Sequence, residues 1–333
     1  MLNRKNNYKQ PDIEKIFNNL LNDGGSTKTL YLAANLPFSR THKIGVSCEG
    51  YPVFFIQSSI TGNVPSINLD LISVQYAQLC NLKIREGKSE QGTYTIFRLK
   101  SLDPDLVGYF INIVCLVLQK IGETPKQQAL IDELKKLVDL FRLFSSTPLA
   151  PIQGLWAELF VIHQSSNPDY LIRSWHVTVN DIFDFNDGHD KIEVKSTAKP
   201  NRIHHFSNEQ LHPNEGSGLV ICSVMMTKAG QGLSVFDLKV AIEERIENEN
   251  RFRLNELFAK TLGTDYYKAM ETFFDYQSAS DSFKIFNYSS VPAIDNDTLP
   301  SEISNLHYDS DLSDIEEASA SYLSEHELFM GLR

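Results

Sequence analysis

The segment FDFNDGHDKIEVK, at residues 183–195, has the pattern of a β-hairpin and decides how the rest of the chain is interpreted. Its centre, Asp187-Gly188, is typical of a two-residue loop, because the positive φ angles of such loops suit Asp and Gly. Strands should enter and leave this loop with Asn186 opposite His189. Side chains along each strand then alternate between two faces.

This alternation separates an apolar face from a charged face. The apolar face holds Phe183, Phe185, Ile192 and Val194, and the charged face holds Asp184, Lys191, Glu193 and Lys195. Asp184 and Glu193 become diagonal neighbours, close enough for their carboxylates to share one ion. Carboxylate oxygens suit Mg²⁺, and Lys195 could stabilise the charge of a phosphate. The hairpin therefore indicates hydrolysis of a phosphodiester.

The acid-x-Lys triplet is weak evidence when taken alone. It also occurs at Glu133-Leu134-Lys135 and Asp237-Leu238-Lys239, as the composition of the chain would lead one to expect. The alternative interpretation of such a triplet is a solvated strand edge or helix face. Only the copy at Glu193–Lys195 has a hairpin loop before it and an aspartate of matching alternation on the facing strand.

These residues resemble the PD-(D/E)XK phosphodiesterases, the restriction-endonuclease-like superfamily, and more narrowly the bacterial PD-(D/E)XK motif proteins. The narrower resemblance extends over residues 152–211, and it rests on GLWAEL (154–159), Trp175, FDF (183–185), IEVKST (192–197) and SNEQL (207–211). It implies a mixed α/β (α+β) fold, in which a restriction-endonuclease-like mixed sheet is flanked by helices.

The resemblance also implies roles for individual residues. The implied catalytic residues are Asp184, Glu193, Lys195, Glu158 and Gln210, and the implied metal ligands are Asp184, Glu193 and Val194. The implied cofactor is Mg²⁺ or Mn²⁺. Without the resemblance, Glu158 would be interpreted as an ordinary exposed glutamate of a helix.

Asp181 competes with Asp184 for the role of metal ligand. Phe183 stands where the family has a proline, so the motif does not by itself choose between the two aspartates. The alternation of side chains favours Asp184, because Asp181 would fall on the apolar side with Val194 unless a bulge intervened.

Composition places the chain among ordinary globular proteins. Its 333 residues are 42% hydrophobic and 22% charged, and no apolar run approaches the length of a membrane span. The four cysteines have no paired spacing, which argues against a zinc or disulfide framework, and the histidines also lack ligand spacing. We therefore expect a cytoplasmic protein without membrane contact.

The net charge of −11 is concentrated near the end of the chain. Residues 295–333 carry −9, and the other residues together carry −2. A near-neutral body can bind nucleic acid through a local patch, and basic residues cluster beside the hairpin: Lys191, Lys195, Lys199, Arg202, His204 and His205. The alternative is a basic loop that only balances the carboxylates.

Hydrophobic periodicity predicts three parts. Strand-like runs between residues 29 and 99 and helices over 106–121 and 130–144 form a β-rich N-terminal domain, 1–148, which ends at the linker Ser145–Pro148. A nuclease-like domain follows at 149–294, with a buried strand over 218–227. Residues 295–333 form an acidic tail, for which a late strand near Tyr308, disorder and shielding of the basic site are all considered.

The leading functional prediction is a metal-dependent nuclease, a hydrolase that cuts DNA. The resemblance implies a setting in bacterial anti-phage or restriction systems, with protein partners from a defence complex and self-association into a homodimer. The alternative is a non-catalytic or partner-gated subunit that binds nucleic acid or supports assembly with the same fold. A third alternative, a structural hairpin in a protein of unrelated activity, finds no nucleophile triad or phosphate-binding glycine loop to support it.

Overall fold

The computed structural model describes residues 13–24, 26–27, 30–57, 60, 64–85, 87, 89–144, 151–175, 181–296, 299–300 and 302–332. The chain divides into two compact units, Met1–Arg142 and Leu143–Arg333. The linker predicted at Ser145–Pro148 lies outside the described residues. Both units mix helices with strands, and the first is rich in β structure.

The first unit is built on a closed barrel. Its elements are α1 (Ile13–Asp23), β1 (Tyr31–Asn35), β2 (Lys43–Val46), β3 (Pro52–Gln57), β4 (Ile67–Asn68), β5 (Ile72–Ile84), β6 (Ser89–Leu99), α2 (Pro104–Ile121) and α3 (Gln127–Leu143). Strands β1, β2, β3, β6 and β5 pair in that order, and β1 closes the ring by pairing with β5 in parallel.

The strands of the barrel pair antiparallel except for β1 and β5, and the strand-like runs of the sequence do not show that the ring closes. The long strand β5 makes closure feasible, because its register against β6 shifts between Gln75 and Gln78. Ala77, inside this break, has a positive φ of 50°. Such a bulge bends a strand and increases its twist, so β5 stays paired with β6 on both sides of the break while its end, Leu82–Ile84, also pairs with β1.

Helix α2 is the most apolar helix of the first unit. Asp103 accepts hydrogen bonds from the N–H groups of Asp105 and Leu106, and Pro104 occupies the first turn, so the helix begins sharply. By length and composition it could cross a membrane, but 56% of the stretch is buried inside the protein. A buried core helix has the same composition.

We expect Phe110→Ala to destabilise the first unit by about 3–5 kcal/mol, because it leaves a cavity in the aromatic core. The Phe110 ring is fully buried and packs against Phe54, Phe97 and Phe141 at centroid distances of 5.2–5.6 Å. Urea denaturation would measure the loss. The control is Leu79→Ala, whose side chain is 70% exposed and should change stability little; equal effects of both changes would contradict this packing.

The second unit holds the predicted hairpin. Its helices are α4 (Ile152–Gln164), α5 (Pro168–Ser174), α6 (Val235–Glu243), α7 (Asn248–Leu262), α8 (Tyr266–Met270), α9 (Tyr276–Ser282) and α10 (Ala320–Ser324). Its strands are β7 (Phe185–Asn186), β8 (Lys191–Thr197), β9 (Ile203–Ser207), β10 (Leu219–Met225), β11 (Lys228–Leu233), β12 (Lys284–Asn287) and β13 (His307–Asp311).

A four-stranded mixed sheet forms the centre of this unit, in the order β12-β10-β8-β7. Strand β10 runs parallel to β8, and the two outer pairings are antiparallel. Six of the seven residues of β10 are buried, which confirms the prediction of a covered strand at 218–227. In the acidic segment, β13 pairs with β9, so of the alternatives considered there the strand near Tyr308 is the one observed.

The predicted register of the hairpin is wrong by two residues. Asn186 pairs with Lys191 and not with His189, so the loop is Asp187–Asp190. The Asp187 side chain causes the longer loop, because its Oδ1 accepts the N–H groups of His189 at 2.9 Å and Asp190 at 2.7 Å. A shift of two residues keeps every side chain on its expected face, since the alternation has a period of two.

Candidate metal centre

Asp184 lies at the edge of β8, where the pairing with β7 stops. The last paired residues are Phe185 and Ile192. Beyond them, the Asp184 side chain and not a backbone carbonyl of β7 bonds to β8. Its Oδ2 accepts the backbone N–H of Val194 at 2.6 Å. This contact holds a half-buried carboxylate beside Glu193 and Val194.

Glu193 is the most constrained carboxylate of the site. Its side chain is buried, and its Oε1 accepts hydrogen bonds from Lys195 Nζ at 2.8 Å and Gln210 Nε2 at 2.6 Å. Its Oε2 is also buried and has no hydrogen-bond partner among the described residues. Burial and the nearby charge of Asp184 raise the pKa of Glu193 to about 8, although Lys195 opposes the shift.

Glu158 is a third carboxylate of the same cluster. It projects from α4, is only 4% exposed, and its Oε2 accepts the indole N–H of Trp175 at 2.6 Å. Burial, and then the charges of Asp184 and Glu193, raise its pKa well above the ordinary value. The alternative of an exposed helical glutamate is therefore wrong.

Lys195 and Gln210 complete the cluster on the other side of Glu193. Lys195 Nζ donates to Gln210 Oε1 at 2.9 Å and lies 4.9 Å from the centre of the Phe206 ring. Gln210, in the short 3-10 helix Asn208–Leu211, accepts the N–H of Ser207 on Oε1 and donates from Nε2 to the carbonyl of Ile182. Together with the bond from Nε2 to Glu193 Oε1, the Gln210 amide makes four hydrogen bonds, which hold it between the lysine and the glutamate.

The rival aspartate, Asp181, lies elsewhere. It is exposed and lines a cleft of about 640 Å³ together with Arg173, Lys191 and Arg253. Asp184 does not line this cleft. The charge of Asp184 acts on the buried glutamates, so Asp184 belongs to the carboxylate cluster and Asp181 lines the cleft.

Half of the basic residues that cluster in the sequence lie below the surface, whereas Lys199 and His205 are exposed. Lys191, Arg202 and His204 are all buried. Lys191 Nζ donates to the carbonyl of His189 and to Ser217 Oγ, while Arg202 and His204 both bond to Ser223. Burial lowers the pKa of His204 to about 4, so it is neutral at pH 7. The three buried residues are therefore held by packing and local hydrogen bonds.

The residues fit a hard divalent cation. The charge of Asp184 raises the proton affinity of both buried glutamates, and one buried oxygen, Glu193 Oε2, has no donor among the described residues. Carboxylate oxygens are the usual ligands of Mg²⁺ and Mn²⁺, and a cation would remove both the crowding of charge and the unpaired oxygen.

Sequence reasoning assigned no role to Trp175 and none to the carbonyl of Ile182. Trp175 is one of two tryptophans in the chain, and its place in the quoted motif was the only signal for it. No sequence pattern indicated a role for the carbonyl of Ile182, because its hydrogen-bond partner Gln210 is 28 residues away. Both groups hold a member of the cluster in position.

Comparison with known protein families finds one family whose model matches most of the chain. The model of the family described as "Putative PD-(D/E)XK family member, (DUF4420)" matches residues 13–313. Comparisons with curated proteins and with solved structures find no match. Members of the PD-(D/E)XK group typically use divalent metals, which agrees with the carboxylate cluster. The chain therefore belongs to the DUF4420 family.

Proposed function

We propose that the second unit is a divalent-metal-dependent nuclease that hydrolyses phosphodiester bonds of DNA, on a restriction-endonuclease-like core. Asp184, Glu193 and Val194 would hold Mg²⁺ or Mn²⁺, with Glu158 as a further carboxylate of the site. The observation that supports this most strongly is the buried Glu193 Oε2, which lacks a donor and lies beside the charge of Asp184. A purely structural glutamate would be expected to have both oxygens satisfied.

The side chains divide the work by their chemistry. A divalent cation bound by the carboxylates would polarise the scissile phosphate and acidify a water. Lys195 Nζ, held by Glu193 and Gln210, presents a positive charge that can stabilise the negative charge developing on the phosphate. Lys195 Nζ also contacts the Phe206 ring. Its charge therefore lies partly in an apolar environment of low dielectric constant, where it interacts more strongly with a phosphate than it would in water.

Gln210 and Trp175 act as positioning residues in this proposal. The Gln210 amide fixes the separation between Glu193 Oε1 and Lys195 Nζ. The Trp175 indole orients Glu158, and its ring stacks against Phe185 at 6.3 Å, which connects the third carboxylate to the hairpin. Such supporting contacts keep catalytic groups in productive geometry.

The wider setting rests on the family resemblance. It comprises a role in a bacterial anti-phage or restriction system, protein partners in a defence complex and a homodimer that cuts both strands. The cytoplasmic location that we also propose rests on composition.

The direct test compares cleavage of supercoiled plasmid, single-stranded DNA and RNA by wild type, Asp184→Asn and Asp181→Asn, with Mg²⁺ or Mn²⁺ present. We expect Asp184→Asn to slow cleavage at least about 100-fold, because several kcal/mol of transition-state stabilisation depend on the bound cation. Asp181→Asn is the matched control, an exposed aspartate three residues earlier, and should cut like wild type.

Two outcomes would count against the proposal. Loss of cleavage in Asp181→Asn with retention in Asp184→Asn would move the ligand role to Asp181. No metal-dependent cutting of any of the three substrates by folded wild type would instead favour the partner-gated or assembly subunit.

A further inference from the structure

A second group of metal-binding side chains lies at the hairpin loop, apart from the carboxylate cluster. His189 Nδ1 is 2.7 Å from Asp190 Oδ1, and His326 Nδ1 is 2.9 Å from the same oxygen. The three ligand atoms all lie within 4.8 Å of one another. His189 and Asp190 belong to the loop between β7 and β8, whereas His326 comes 136 residues after Asp190, shortly after α10.

Two of these three side chains are held firmly by their surroundings. Asp190 is buried, and its Oδ1 also accepts the N–H of Gly218 at 2.9 Å. A Cβ atom on Gly218 would come within 2.8 Å of both Asp190 Oδ1 and the His326 ring, so the close approach requires glycine. The His326 ring lies 4.9 Å from the rings of Tyr322 and Phe329.

We propose that His189, Asp190 and His326 form a binding site for a transition-metal ion of the Zn²⁺ class. Two neutral imidazoles and one carboxylate are a ligand set that suits Zn²⁺, Co²⁺ or Ni²⁺, whereas Mg²⁺ prefers oxygen ligands alone. This site is chemically distinct from the carboxylate cluster and does not depend on the nuclease proposal.

The charge and the coordination number are both consistent with zinc. The carboxylate supplies one negative charge, so a bound Zn²⁺ would leave a net charge of about +1, which solvent can accommodate at an exposed position. The His189 side chain is 68% exposed, so the fourth coordination position would be open to water.

Binding requires a small rearrangement. The distances of 2.7 and 2.9 Å are hydrogen-bond lengths, in which each imidazole donates a proton to Asp190. Around Zn²⁺, with bonds of about 2.0–2.1 Å, neighbouring ligand atoms of a tetrahedron are about 3.3 Å apart. To bind the ion through Nδ1, each neutral imidazole must carry its proton on Nε2 instead, an exchange of tautomer through solvent, and the rings must move outward by roughly half an ångström. The exposed ring of His189 can make most of this movement.

A metal at this site would join the hairpin loop to the C-terminal segment. The same loop leads directly into β8, which carries Glu193 and Lys195. An ion that binds the folded chain and not the unfolded one raises stability in proportion to its affinity. We therefore expect Zn²⁺ to hold His326 and the β7–β8 loop together as the protein is heated.

The experiment titrates Zn²⁺ into metal-stripped full-length protein by calorimetry and follows Co²⁺ by its visible absorption. All proteins carry Cys48→Ser, because Cys48 is an exposed thiol that could bind zinc. The test variants are His189→Ala and His326→Ala. The matched control is His205→Ala, since His205 Nδ1 also lies 2.9 Å from a carboxylate, Asp309, on the surface.

We expect one Zn²⁺ per chain at this site, retained in His205→Ala and in Asp184→Asn. Any Zn²⁺ that binds the carboxylate cluster should be lost in Asp184→Asn, so this variant separates the two sites. Each test variant should lose at least about 100-fold in affinity, because even supporting residues of metal sites contribute 10- to 100-fold. Zn²⁺ should raise the melting temperature of the parent protein and leave that of His326→Ala unchanged.

Either of two results would overturn the proposal. If the parent protein binds no Zn²⁺, the three side chains form only a hydrogen-bonded brace. If His189→Ala binds Zn²⁺ as well as its parent does, the ion lies elsewhere. His189 is exposed, so its removal should leave the fold intact, and circular dichroism of each variant checks this.

Discussion

Glu193→Gln should abolish metal-dependent cleavage and at the same time make the metal-free protein more resistant to heat at pH 9. The activity falls, by at least about 100-fold, because the variant loses a charged ligand of the cation. The stability rises because the wild-type carboxylate is buried beside Asp184, which raises its pKa to about 8 and makes its ionised form unfavourable in the fold. The amide has nearly the same shape and no charge.

Plasmid cleavage with Mg²⁺ and thermal unfolding in EDTA, measured on the same preparations, test this pair of effects. Glu209→Gln is the matched control, because Glu209 is an exposed acid next to Gln210 in the same 3-10 helix. It should keep both activity and stability. An inactive Glu193→Gln that is also less stable than wild type would mean that the residue acts as a structural anchor, and it would contradict the metal-centre account.

Without metal, the stability of the wild-type protein relative to Glu193→Gln should fall as the pH rises from about 4.5 to above 8. The pKa of Glu193 is about 8 in the folded protein and near its ordinary value in the unfolded chain. Between those two values the folded state binds more protons than the unfolded state, so stability decreases with rising pH. The raised pKa of Glu158 acts in the same direction.

Urea denaturation of wild type and Glu193→Gln, from pH 5 to pH 9, measures this difference. Comparing the two proteins cancels the carboxylates that lie away from the site, whereas Glu158, whose pKa the charge of Glu193 helps to raise, contributes to the difference. Added Mg²⁺ should stabilise wild type increasingly as the pH rises, because a cation binds the ionised carboxylate, and it should stabilise the variant much less. If the free energies of unfolding of the two proteins changed in parallel with pH, the pKa of Glu193 would not be raised in the folded protein, which would contradict this prediction.

The local pattern of the hairpin was sufficient to predict which side chains share a face. Alternation placed Asp184 and Glu193 together, and this survived the error in register because the error was two residues. The register itself could not be predicted, since it depends on the Asp187 side chain competing for the N–H groups of His189 and Asp190. The strand pattern alone does not show that competition.

Burial of the polar residues near the site was not predictable from local sequence. Arg202 and His204 are covered because Ser223, about 20 residues later, offers them hydrogen bonds inside the sheet. Glu158 was identified as a site residue only through the family resemblance. Its donor Trp175 and its charged neighbours are distant in the sequence and are brought together by the tertiary fold. The second histidine of the proposed zinc site, His326, lies in the acidic segment. The sequence of that segment is distinguished by its net charge and gives no sign that His326 lies beside Asp190.

The central claim is that Asp184, Glu158 and Glu193 form a divalent metal centre. Titration of Mn²⁺ at pH 8, followed by the electron paramagnetic resonance of the free ion, tests it most directly. A His189→Ala background removes the proposed zinc site from the measurement. We predict that the otherwise wild-type protein binds Mn²⁺ and that Glu193→Gln weakens this binding at least about tenfold. Equal Mn²⁺ binding by both proteins, or none by either, would contradict the claim.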